Sequence, residues 1–116
     1  MDNVTEAYQT LAEALRTSLA NRGFETVEEH HHTKPEGSRY IVLMKGDQAV
    51  CLTWDAEEQA FRLECCQRIE GTHGGVWEMM CHEQFDPNTQ GPERTQAIAE
   101  RISARLAETL PGGSRS

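Results

Sequence analysis

The chain has 116 residues, a mass of 13.1 kDa, and 19 acidic against 11 basic side chains, for a formal net charge of −8. A length of this order fits one compact domain with a single core, here residues 1–110 followed by a flexible tail at 111–116. The acidic balance, and basic residues interleaved with Glu, exclude a binder of free DNA or RNA. No apolar run approaches the roughly 18 residues of a bilayer span, and no basic region precedes an apolar one at the N-terminus, so a cytoplasmic chain is expected.

Val4, Tyr8, Leu11, Leu15 and Leu19 recur at steps of three and four residues, which predicts a helix from Asn3 to Arg22 with one buried stripe. Asn3 and Glu6 have the spacing of a capping box, and Gly23 supplies the left-handed stop. Five segments with period-two patterning follow, at Phe24 to His30, Tyr40 to Lys45, Gln48 to Trp54, Ala60 to Glu70 and Val76 to Phe85. The polar stretch His31 to Ser38 reads as a surface loop. Gly46-Asp47 suits a two-residue hairpin turn, which sets Lys45 against Gln48, Leu43 against Val50, Ile41 against Leu52 and Arg39 against Trp54.

Treating Asp55 to Glu58 as a four-residue loop sets Leu52 against Phe61 and Val50 against Leu63. Treating Gly71 to Gly75 as the next turn sets Ile69 against Trp77, Gln67 against Met79 and Cys65 against Cys81, with Arg68–Glu78 and Glu64–His82 as opposite-charge pairs on the reverse side. Gly91-Pro92-Glu93 starts a second helix, whose buried stripe is Ile98, Ile102, Leu106 and Leu110 with Thr95 and Ala99, and Pro111 stops it.

The expected fold is therefore α+β: a two-layer sandwich of a four- to five-stranded antiparallel meander, with both terminal helices packed on one face. Its core face comprises Ile41, Leu43, Val50, Leu52, Trp54, Phe61, Leu63, Cys65, Ile69, Trp77, Met79 and Cys81. On this register Trp77→Ala costs several kcal/mol.

Both helices being needed on the core face, nothing remains to cover the reverse of the sheet. Tyr40, Val42, Met44, Ala49 and Cys51 project there from one hairpin, and Arg62, Glu64, Arg68 and Glu78 from the other. An uncovered apolar patch of several hundred Å² marks an interface more often than not. Tyr40, Val42, Met44 and Cys51, rimmed by Arg62 and Arg68, are the expected partner-binding residues. The competing reading is a half-wet sheet that tolerates scattered apolar side chains.

Other clusters are weaker. Glu29-His30-His31-His32 alternates its imidazoles across a strand, so at most two share an ion. Cys65 and Cys81 look inward while Cys66 and His82 look outward, which argues against a tetrahedral zinc site. A Cys65–Cys81 disulfide would need oxidising conditions. Glu64 beside His82 resembles acid–base machinery, but a cross-strand ion pair explains it as well. Gly71 to Gly75 precedes no helix and cradles no phosphate.

The function expected is that of a small acidic, non-enzymatic interaction module, inhibitor-, immunity- or chaperone-like, without a cofactor. It binds a protein partner of basic character, or a second copy of itself, through the open sheet face. The alternative is a small-molecule or metal site near His82, Glu64, Cys65, Cys66 and Cys81. A third option is an acidic nucleic-acid mimic.

Overall fold

A computed structural model describes residues 3–31, 37–46, 48–68 and 75–109. The elements run α1 (Asn3–Ala20), β1 (Glu25–His31), β2 (Arg39–Lys45), β3 (Gln48–Asp55), β4 (Ala60–Arg68), β5 (Gly75–Gln84) and α2 (Pro92–Thr109). The strands form one antiparallel sheet in the order β1-β2-β3-β4-β5, an uninterrupted meander. The expected Leu110, Ile69 and most of the two polar loops lie outside the described residues.

The stripe of α1, Val4, Tyr8, Leu11, Leu15 and Leu19, is fully buried. The helix ends where Phe24 N donates back to Leu19 O at 2.9 Å, and Gly23 takes the left-handed φ of 90° that this closure requires. In α2, Thr95, Ile98, Ala99, Ile102 and Leu106 are buried. The stripes of both helices join Ile41, Leu43, Val50, Leu52, Trp54, Phe61 and Leu63 in a single core, so both helices lie on the same side of the sheet. α1 rests on β1 and β2, α2 rests on β5, and the two helices meet.

Ion pairs fasten each helix to its strand. Arg16 of α1 bonds Glu29 of β1 at 3.0 Å. Glu83 of β5, only 9% exposed, accepts from Arg94 at 3.3 Å and Arg101 at 3.1 Å of α2.

The β2–β3 hairpin has the register expected, Arg39–Trp54 through Lys45–Gln48, and Gly46 has a φ of 61°, in the range that a primed turn demands. The next hairpin corrects the expectation by two residues. Asp55 pairs with Ala60, Leu52 with Leu63 and Val50 with Cys65. Asp55 remains in the strand because its Oδ1 accepts from the amides of Glu57 and Glu58 at 3.0 and 3.2 Å, while Gln59 closes the turn with a φ of 53°. An even shift leaves every side chain on its expected face.

The β4–β5 pairing overturns the expectation. Leu63 faces Cys81 but Glu64 faces Met79, so Met80 is a bulged residue without a partner in the ladder. Cys65 faces Glu78 and Cys66 faces Trp77; the expected Cys65–Cys81 and Glu64–His82 pairings do not form. Met80 enters the core at 7% exposed, and its carbonyl accepts from Arg105 Nε at 2.9 Å. Trp77 and Met79 are consequently not core residues; they are 45% and 52% exposed.

Burial also holds several protons in place. It pushes the Tyr8 phenol, with Glu29 adding to the effect, well above its ordinary range, and it raises the thiols of Cys51, Cys65 and Cys81. A group whose pKa is raised by folding contributes stability that is complete below its unfolded pKa, about 8.5 for Cys and about 10 for Tyr, and that is lost as pH rises through the folded value. The urea midpoint should therefore be level up to about pH 8 and fall above about pH 9, with Tyr8→Phe removing part of the fall. A midpoint unchanged into the alkaline range would contradict this linkage.

Candidate functional site

The helix-free side of the sheet is a grid fixed by the strand registers. In its first row Met44 of β2 faces Ala49, Ala49 faces Cys66, and Cys66 faces Trp77, with Glu25 at the β1 end. The second row runs Glu28, Val42, Cys51, Glu64, Met79. The third runs His30, Tyr40, Thr53, Arg62, His82. Directly opposed residues of antiparallel strands point to one face, so each row is a line of neighbouring side chains.

Rows one and two hold the apolar side chains, with Glu25, Glu28 and Glu64 among them, and row three is polar. In the apolar half, Ala49, Cys51 and Cys66 are small and lie between the long side chains of Val42 and Met44 on β2 and those of Trp77 and Met79 on β5. The smaller side chains thus sit on the two middle strands, with Glu64 among them, and the larger ones on β2 and β5.

Val42, Met44, Cys51 and Cys66 are half-buried, while Trp77 and Met79 are 45% and 52% exposed. Glu64 lies among them, half-buried, with Cys51 and Met79 as its strand partners. It makes no hydrogen bond or ion pair among the described residues, and its charge, after burial itself, helps to hold the Cys51 thiol above its usual range.

The polar half is internally satisfied. Arg62 pairs with Asp55 at 3.2 Å, and His82 Nε2 lies 3.4 Å from Glu58 Oε1. Tyr40 stacks on His30 with ring centroids 5.3 Å apart, and its hydroxyl donates to Glu28, which raises the phenol's pKa.

Of the residues expected to bind a partner, Tyr40, Val42, Met44, Cys51 and Arg62 share this face, and the Arg68 side chain lies outside the described residues. Trp77 and Met79, assigned to the core by the simple alternation, belong to the face as well. The signal that could have placed them is Met79-Met80-Cys81, three consecutive apolar residues where a strand with one wet face should alternate.

Glu64 and His82 fall in different rows, with Met79 and Arg62 as their respective partners across β4–β5. Cys65 and Cys81 point to the helix side and pack against the core, whereas Cys66 points away. Among the described residues no three His, Cys, Asp or Glu side chains converge as metal ligands would.

A cleft of about 160 Å³ lies between the N-terminal turns of the two helices, lined by Glu6, Thr10, Phe85, Pro92 and Gln96. It gathers no convergent titratable groups. No described helix is long and apolar enough to cross a membrane. No protein-family profile, curated protein or solved structure matches the chain.

Proposed function

We propose that this chain is a non-enzymatic protein-interaction module that binds a basic protein partner through the open face of its sheet. The observation that carries the reading is the exposure of Trp77 and Met79 beside Val42, Met44, Cys51 and Cys66, on the side of the sheet away from both helices. Aromatic residues and Met are enriched at the centres of interfaces, and a contiguous apolar patch costs solubility unless a partner covers it. The net charge of −8 favours association with a basic surface and disfavours nucleic acid.

The test is site-specific photo-crosslinking in the cells that make the protein. Benzoylphenylalanine in place of Trp77 retains an aromatic wall, and the same group in place of Ser103, on the exposed side of α2, is the control. A discrete protein adduct from position 77 and none from position 103 is expected. Equal yields, or none from either position, would overturn the proposal.

A further inference from the structure

We propose that two arginines of α2 form an autoinhibitory cap on the outer edge of β5, which keeps that edge from pairing with β5 of a second copy of this chain. β5 ends the strand order, so one side of its backbone has no neighbouring strand among those described. Peptide geometry identifies the carbonyls on that side. Phe85 N donates to Gln59 O at 2.9 Å, toward β4, and in a trans peptide the carbonyl of the preceding residue points the opposite way, so Gln84 O faces the edge. The alternation along a strand turns the carbonyls of His82 and Met80 outward too, together with the amides of His82 and Gln84.

Two of these three carbonyls are occupied from α2. Arg94 donates to Gln84 O from Nε at 3.1 Å and from Nη2 at 2.7 Å, and Arg105 Nε donates to Met80 O at 2.9 Å. Arg94 to Arg105 spans about 16 Å along the helix, close to the roughly 13 Å from Gln84 back to Met80 along the strand, so helix and edge run side by side. Arg101 lies between them and, with Arg94, anchors the row in the carboxylate of Glu83.

Ile98, Ile102 and Leu106 already bury α2 in the core, so its attachment does not depend on these backbone contacts. A strand that pairs needs the same acceptors that the arginines fill. The opposite edge is blunted differently, by the bulge at Val27 and by Glu25, Glu28 and Glu29, which would meet like charges in a second β1. The cap on β5 has a further consequence because this strand carries Trp77 and Met79: a second β5 added here would join two open faces into one larger apolar surface.

The experiment follows the assembly state of the isolated protein by sedimentation velocity over a wide range of concentration. Arg94→Ala combined with Arg105→Ala should remain folded by circular dichroism and self-associate as concentration rises, reaching at least about twice the mass of the original. The amides of His82 and Gln84 should gain protection from hydrogen exchange in the associated form. Adding His82→Pro removes an outward amide and leaves the ladder with β4 intact, so it should return the double variant to the original mass. If the double change unfolds the chain, Arg105→Ala alone should show the same association at lower amplitude.

A folded variant whose mass matches the original at every concentration would overturn the proposal. So would association that His82→Pro leaves in place, or loss of the fold in both the double and the single variant, which would assign the arginines to fastening α2 alone. None of these outcomes bears on the interaction-module reading, whose test is the crosslink from position 77.

Discussion

Trp54→Ala should lower stability by roughly 3–5 kcal/mol, whereas Trp77→Ala should cost less than about 1 kcal/mol. The two tryptophans lie in the same sheet but on opposite faces. Trp54 is 1% exposed and its ring lies 4.7 Å from that of Phe61 and 6.2 Å from that of Phe85, an aromatic cluster beneath the helices. Truncating it leaves a cavity that its rigid neighbours cannot collapse into.

Trp77 faces water with nearly half its surface, and its ladder partner is the small Cys66. At about 4 °C per kcal/mol for a domain of this size, thermal melts should separate the variants by more than about 8 °C. Comparable melting temperatures would mean that Met80 is not the bulged residue and that Trp77 belongs to the core after all.

Val42→Glu combined with Met44→Glu should leave the fold intact and abolish partner capture from position 77, by roughly a hundredfold in affinity. Both side chains project from β2 on the open face and are only half-buried, so the folded protein can turn two carboxylates toward solvent at small cost. In a complex the same carboxylates would be desolvated beside Glu64, and each unpaired charge costs several kcal/mol. The readout pairs a thermal melt with crosslinking yield. An unchanged yield from a folded double variant would place the interaction elsewhere on the molecule.

What the amino-acid sequence reveals, and what it conceals, follows from how each strand junction is encoded. The β2–β3 register is legible to the residue because a Gly-containing two-residue turn admits one pairing. The β3–β4 register is legible only in its faces. Asp55 serves as the last residue of the strand and as the side-chain acceptor of the turn, and a loop counted from composition cannot assign both roles. The two-residue error cancels because side chains alternate with period two.

At β4–β5 the error is odd, so it reverses a face. Met79 and Met80 are chemically identical neighbours, and neither phase of the alternation is marked by composition; only packing under α2, with Arg105 taking the Met80 carbonyl, selects Met80 for the core. The helices were legible because their stripes are long and uniformly apolar. The uncovered face was therefore legible as a consequence of topology, while its two most exposed members were not.

Collisional quenching of tryptophan emission in the isolated protein, compared with Trp77→Phe, tests the exposure of this face. The component lost with Trp77 should be the red-emitting, freely quenched one, and the remaining Trp54 emission should be blue-shifted and shielded. Loss of a shielded component on removing Trp77 would contradict it, because the apolar face would then lack its most prominent side chain.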